Sequence, residues 1–331
     1  MTIGVGLVGT GYAARQRADA VGADPRSRLV AVAGRDLERT TAFAQAHGAD
    51  SSAWPDLVQR DDVDLVIVAT VNRDHGPIAQ AAVACRKAVV VEYPLAVDLQ
   101  QASAIVAAAR HQNTLLHVEH IELLSGIHQT IQRALPEVGA PFHVRYASLT
   151  PQRPAPQRWG YSPELFGFPL VGALSRIHRL IDLFGAVETI ACHSQVWSPQ
   201  GDALPPGSTT PFGTVLCSAQ IRFTSGLLAE VVYGKGEALW DSRRRFEVQG
   251  KEGRLWVDRE GGELLLASRV QPLTVGSRRG LFARDTAMVL DAIVEPAQAD
   301  LYVTPEQSLY ALRVADAARQ SAVEQAVITL V

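Results

Sequence analysis

The sequence predicts an α/β chain in two parts: a parallel sheet flanked by helices, then an α+β part built on a large, mostly antiparallel open sheet. Three observations carry this. In the first third, short Val- and Ile-rich runs alternate with helical patterns, the βαβα order that builds parallel sheets through right-handed crossovers. Beyond about residue 125, strand-like segments follow one another through Gly-rich turns such as Ser225-Gly226 and Gly261-Gly262, which suit hairpins. Finally, 331 residues, 47% hydrophobic and 20% charged, make an ordinary globular composition with length for two domains. The expected domains are 1–122 and 123–331, with the last helices able to pack back on the first domain.

In order along the chain, the pattern predicts strands at 3–8, 28–33, 64–69, 88–92 and 114–118, with helices at 13–20, 37–47, 77–85 and 99–111 between them. Asp98 with Gln101 reads as an N-cap and its returning partner at the start of the fourth helix. A helix at 127–135 leads to Pro136 and Gly139. Strands then follow at 143–149, 189–197, 215–223, 227–233, 245–249, 254–257 and 263–267, interrupted by a helix at 170–184. Helices at 282–294 and 305–322 close the chain, the last opened by Thr304-Pro305-Glu306-Gln307 with Pro at the first helical position. The stretch 150–169 is a long proline-rich loop carrying Trp159, Tyr161, Phe166 and Phe168, and long loops in compact domains often serve as lids.

Several classes are excluded by composition. A net charge of −3 leaves no basic footprint for nucleic acid. Cys85, Cys192 and Cys217 are odd in number and widely spaced, so neither a disulfide framework nor a metal cluster is expected, as suits a reducing cytoplasm. Met1-Thr2-Ile3-Gly4-Val5 runs directly into a strand and lacks the basic and apolar regions of a signal peptide. Apolar runs are too short to cross a bilayer, so no membrane partner is expected. His120-Ile121-Glu122 lacks a third well-spaced ligand for a metal.

The chemistry starts at Gly6-Leu7-Val8-Gly9-Thr10-Gly11-Tyr12-Ala13-Ala14, between the first strand and a helix. Gly9, Gly11 and Ala14 fill G-x-G-x-x-G/A: a tight turn, close approach of backbone to a pyrophosphate, and close helix–strand packing, with the helix N-terminus facing the anion. In this strand–turn–helix context the motif predicts a Rossmann dinucleotide site using Gly9, Thr10, Gly11, Tyr12 and Ala13. The second strand ends at Ala33-Gly34-Arg35-Asp36. Gly34 stands where an NAD site carries its ribose carboxylate, and Arg35 can pair with a 2′-phosphate, so NADPH is the expected cofactor with NADH a weaker alternative. Arg35 as a solvated turn residue, with Asp36 capping the next helix, is the competing structural role. Ala69, Thr70, Asn72 and His75 follow the next strand, in a loop expected to pass near the nicotinamide ribose, where a structural hydrogen bond is the commoner role for the histidine.

Taken together, the cofactor glycines, Ala69-Thr70-Val71-Asn72 with His75, and Glu92-Tyr93-Pro94-Leu95-Ala96 resemble the glucose–fructose oxidoreductase/inositol dehydrogenase family, in the family's order. Within it, Glu92-Tyr93-Pro94 and Leu116 through Leu124 resemble biliverdin reductases. Pro154 through Trp159, Gly167 through Val171, Ala173 through Ile177, Tyr233 through Glu237 and Gly276 through Phe282 resemble the cyanobacterial type. The broader family has a lysine where Tyr93 stands, and a histidine motif that His178 and Asp182 do not reproduce; Ser175-Arg176 occupies that helix instead.

This resemblance implies NADPH-dependent reduction of biliverdin to bilirubin, the hydride going to the central methine carbon and a proton to a pyrrole nitrogen. A sugar dehydrogenase moves a proton on or off a hydroxyl; a tetrapyrrole has none at the reacting carbon, which accords with loss of the lysine and histidine. The implied cofactor contacts include Glu92, and the implied catalytic residues are Arg176 and Tyr93. Tyr93 could stack on the bilin, bond a lactam, donate a proton, or only pack. Arg176 could orient the bilin, hold a water or stabilise developing charge; with a pKa above about 12 it is a poor proton donor, and a salt bridge to Asp182 or another acid is its structural alternative. Expected substrate contacts are Tyr93, His120, Arg158, Trp159, Ser175, Arg176, Lys235 and Arg278. Glu119 and His120 could relay protons or hold Tyr93. Arg278-Arg279 and Arg243-Arg244-Arg245 read as solvated runs, one of which could hold a propionate. A sugar or cyclitol dehydrogenase and a non-enzymatic NADPH- or bilin-binding regulator are the competing functions. A monomer or homodimer is expected.

Overall fold

The computed structural model describes residues 2–205, 207–298 and 300–330; Met1, where the sequence reading begins, lies outside them. The chain forms two compact units: the residues through Ile121 with Arg279–Tyr310, and Glu122–Arg278 with the residues from Ala311.

In the first unit, β1 (Ile3–Val8), β2 (Ser27–Ala33), β3 (Asp50–Ser52), β4 (Leu65–Val68), β5 (Ala88–Glu92) and β6 (Leu116–Glu119) form one sheet in the order β3-β2-β1-β4-β5-β6. Every neighbouring pair is parallel. β1 and β4 are buried along their whole length. That explains their unbroken apolar runs: a parallel sheet is covered on both faces, and each fully buried Val or Leu contributes about 1.5–3 kcal/mol. The crossover helices include Tyr12–Ala23, Leu37–Ala46, Asn72–Ala84 and Leu99–His111. Asp36 and Asp98 cap two of them, accepting from the backbone N–H of Arg39 at 2.8 Å and of Gln101 at 2.7 Å. Strand order reverses between β1 and β4, and ligands of such sheets bind beyond the carboxyl ends of the strands at this point. Helix Leu281–Val294 returns to this unit, burying Val289 and Leu290 in the same core as Val5, Leu7 and Ile67.

The second unit carries β7 (Pro141–Pro151), β8 (Val187–Trp197), β9 (Ala203–Leu204), β10 (Thr214–Phe223), β11 (Leu228–Gly236), β12 (Arg243–Gly250), β13 (Gly253–Val257), β14 (Gly262–Leu266), β15 (Arg269–Leu273) and β16 (Ile328–Thr329). Their order is β15-β14-β13-β12-β7-β11-β10-β8-β16, with β9 paired to β8. β7 and β11 are parallel, and the other neighbours are antiparallel. Along β10, Val215, Cys217, Ala219, Ile221 and Phe223 are buried while Ser218, Gln220 and Arg222 are exposed, the period of two that marks one covered face.

Four details differ from the sequence reading. Asn72 and His75 lie in the first turn of helix Asn72–Ala84, not in a loop; Pro77 sits inside that helix rather than at its start. The stretch 170–184 is two helices, Pro169–Gly172 and Ser175–Phe184, because Ala173 leaves helical geometry at φ −116°, ψ 36°. The phenyl ring of Phe166 packs so closely on Gly172 that a Cβ there would lie 2.5 Å from it. The proline-rich loop is folded, with a 3₁₀ turn at Trp159–Tyr161 and a short helix at Pro163–Phe166, and Tyr161 packs with Phe212 and Val215. Cys192 and Cys217, far apart in sequence, meet on β8 and β10 with sulfurs 3.4 Å apart.

Candidate active site

The expected residues of the first unit come from the carboxyl ends of its strands. Gly9 has φ +135°, and a Cβ there would lie 2.2 Å from the Ala69 carbonyl oxygen; only glycine fits this turn. A Cβ on Gly11 would meet nothing within 4 Å, so protein packing does not require glycine there. Helix Tyr12–Ala23 starts with no side-chain cap and no acidic residue in its first turn, leaving its N–H groups and dipole for an anion. Thr10 and Ala13 flank this turn, and Tyr12 is 76% exposed with its ring edge-on to Phe282. At Gly34 a Cβ would fall 2.4 Å from Thr40 Oγ1, so the ribose carboxylate of NAD sites has no room. Arg35 is exposed beside it. Arg39, which the sequence reading passed over, donates from Nη2 to the Thr10 carbonyl at 2.7 Å and brings a second guanidinium to this corner.

Beyond β4, buried His75 places Nδ1 2.8 Å from the Pro94 carbonyl and Nε2 3.3 Å from that of Thr70. Burial lowers its pKa and favours the neutral ring, whose single N–H can donate to only one of these carbonyls, that of Pro94 being the nearer. The Tyr93–Pro94 peptide is cis, and the Tyr93 ring lies flat on His120, with centroids 5.5 Å apart and planes 8° from parallel. His120 is fully buried, with Nε2 2.9 Å from Ser308 Oγ. Asn72 is buried in the helix start.

Behind this edge lies a buried ionic network with no local sequence signal. Arg17, fully buried, donates from Nε to Glu92 Oε1 at 2.9 Å and pairs through Nη1 with Asp285. Asp285 Oδ1 accepts from His117 Nε2 at 2.8 Å and from the Tyr302 hydroxyl at 2.6 Å. Burial alone would raise the Asp285 pKa, but Arg17 and His117 outweigh it and hold the carboxyl well below its usual range. Burial, reinforced by Glu92, raises the Glu119 pKa against the opposing charge of Arg17. Glu92, expected at the cofactor, thus has one oxygen committed inward to Arg17.

In the second unit, Ser175, Arg176 and Arg278 share a cavity of about 480 Å³ including its open mouth. Arg179, Arg244, Arg245 and Arg259 line it too, against only two carboxylates, Glu122 and Asp258. Glu122 pairs with Arg179 and Arg278; burial would raise its pKa, but Arg179, Arg278 and Arg176 hold it low. Arg176 donates to the hydroxyls of Ser175 at 3.2 Å and Ser148 at 3.4 Å, and lies 5.4 Å from the Tyr233 ring centroid. Asp182 is taken by His128 at 2.8 Å instead of Arg176. Arg158, Trp159 and Lys235 do not line this cavity but gather around Gly160. Lys235 Nζ donates to the Gly160 carbonyl and sits 3.6 Å from the Phe166 ring centroid. Burial, then Arg158 and Arg176, pull the Lys235 pKa down to about 7. Among the described residues there is no metal-ligand cluster and no helix long and apolar enough to cross a membrane.

The profile of an oxidoreductase family's NAD-binding Rossmann fold matches residues 3–120, and that of its C-terminal alpha/beta domain matches residues 136–330. The chain belongs to this Gfo/Idh/MocA oxidoreductase family. It is similar to the biliverdin reductase of Synechocystis sp. PCC 6803, solved in complex with biliverdin and NADP+: identity is 43%, the TM-score 0.91, and the match covers 97% of this chain and 99% of that one. A dTDP-3,4-didehydro-2,6-dideoxy-alpha-D-glucose 3-reductase from Actinomadura kijaniata is 28% identical over 78% of this chain and 75% of its own length. Biliverdin reductase A of Mus musculus is 30% identical over 41% of this chain and 43% of its own length.

Proposed function

We propose that this chain is an NADPH-dependent biliverdin reductase. The observation that carries the reading is the 43% identity to the Synechocystis enzyme across nearly the whole of both chains, far above the 28% to the sugar-nucleotide reductase. The sites accord with it. The open approach at Gly11, the uncapped helix start, and the Gly34 position with Arg35 and Arg39 beside it suit a pyrophosphate and a 2′-phosphate. NADPH held there supplies a hydride for the central methine carbon of the pigment. Tyr93, stacked on His120, presents a flat ring to a flat conjugated substrate. Arg176, which donates to two serine hydroxyls, orients the bilin and stabilises charge that develops on its pyrrole nitrogens. The remaining arginines of the cavity suit the propionates.

The test is the visible spectrum of purified protein mixed with NADPH and biliverdin. The reading expects the biliverdin bands to give way to those of bilirubin. No spectral change with biliverdin, together with NADP+-dependent oxidation of a sugar or cyclitol, contradicts it; pigment binding without turnover favours a carrier.

A further inference from the structure

We propose that Arg244 and Arg259 form a clamp for a substrate carboxylate, an assignment that rests on the tetrapyrrole reading and makes it more specific. Arg244 is the second residue of β12, and Arg259 follows the end of β13. These strands are antiparallel and their pairing ends with Phe246 opposite Val257; Arg259 lies in the turn that follows, where the Asp258 N–H donates to the Gly261 carbonyl at 2.8 Å. Like charges brought close to one another repel. Both side chains line the arginine cavity, Arg244 half-buried and Arg259 exposed at its edge.

The cavity's own carboxylates relieve this only in part. Glu122 is engaged by Arg179 and Arg278. Asp258 Oδ1 accepts the backbone N–H groups of Glu260 at 2.8 Å and Gly261 at 3.1 Å. Arg244 donates from Nη2 to the neutral Thr150 hydroxyl at 3.0 Å. Burial depresses the Arg244 pKa, as do Arg259, Arg176 and Arg278; burial and Arg278 depress that of Arg259. Two planar guanidiniums in a concave site, each short of an anionic partner, match the forked geometry of a carboxylate. Biliverdin carries two propionates.

The pair is tested by equilibrium binding of biliverdin and of its dimethyl ester to the full chain and to Arg244→Gln and Arg259→Gln, followed by tryptophan fluorescence. The wild type is expected to bind the diacid at least about tenfold tighter than the diester, in keeping with charge-assisted hydrogen bonds of about 1.5–3 kcal/mol. Each variant should lose most of that preference while keeping its affinity for the ester. Unfolding midpoints supply a second readout: removing one of two like charges should leave the variant as stable as the wild type or more so, whereas a structural ion-pairing role would make it less stable. The clamp is overturned by variants that keep the wild-type preference, by a wild type that binds both pigments equally, or by variants of lowered midpoint. A wild type that binds neither pigment overturns the tetrapyrrole reading, and the clamp with it.

Discussion

Charged groups are handled in opposite ways in the two units. In the first, Arg17 sits in the core with Glu92 and Asp285 as fixed partners, and Asp285 also takes His117 and Tyr302. In the second, six arginines surround one cavity that contains two carboxylates. The difference teaches what each set is for. Charges neutralised inside the protein hold elements in place; charges left in excess around a cavity cost stability and are compensated when an anion binds. The first set ties β5, β6 and helix Leu281–Val294 to the helix that starts at the cofactor turn. On the proposed function, the second selects for an anionic ligand.

The contrast can be broken first at its strongest point. Arg17→Met should lower unfolding free energy by about 3–5 kcal/mol, because it strands Asp285 and Glu92 in the interior. Urea denaturation checks this, and a loss under about 1 kcal/mol, within the range of a surface pair, would remove the network's structural role. Arg176→Gln should do the reverse, sparing the unfolding midpoint while lowering kcat/KM for biliverdin by about 10²–10³, the usual cost of removing one donor that stabilises developing charge. Arg35→Ala should reduce the preference for NADPH over NADH by about tenfold or more, as expected for losing one charge-assisted phosphate contact. An unchanged cofactor ratio would reassign Arg35 to the solvated turn and leave Arg39 as the phosphate partner.

A smaller effect concerns bases kept neutral in the second unit. Burial lowers His178 from 6.5 to about 4, with Asp182 opposing and His128 adding to the shift. Below about 4 the folded chain must charge this ring in the interior, at full cost; between about 4 and 6.5 the unfolded chain binds more protons than the folded one, so stability rises with pH across that window. Lys235, at about 7 against 10.5, acts in the same direction at higher pH. The wild type should therefore lose stability as pH falls from 6.5 to 4, and His178→Gln should flatten that slope in thermal melts. A slope equal to the wild type's would mean the ring is not the titrating group.

What could be read from the sequence was local. The glycine turn, Gly34-Arg35 and the Asp98 cap each lie within a few consecutive residues whose spacing reflects backbone geometry, and the structure puts all of them at strand or helix ends. The reciprocal cap at the last helix is equally local: Thr304 N–H donates to Gln307 Oε1 at 2.8 Å, and Gln307 N–H to Thr304 Oγ1 at 3.2 Å. The Arg17–Asp285 pair was not legible, since its members lie far apart in sequence and a buried charge looks like any other arginine until its neighbours are known. The short strands β3 and β16 escaped notice because they are polar or two residues long, and pairing with β2 and β8 makes them strands rather than any apolar alternation. Arg244 and Arg259 belong to the same class: Arg244 lies in a run that reads as a solvated face and Arg259 in a polar turn, and only their shared cavity distinguishes them from their neighbours.

The central claim is hydride transfer to a tetrapyrrole, and isotope transfer tests it most directly. The chain is incubated with biliverdin and NADPH deuterated at the transferable position of nicotinamide C4, and the pigment is analysed by mass spectrometry and NMR. The account predicts bilirubin carrying one deuterium, at the central carbon between the two inner pyrrole rings. Pigment recovered without deuterium, or deuterium found instead in a sugar or cyclitol substrate, would contradict it.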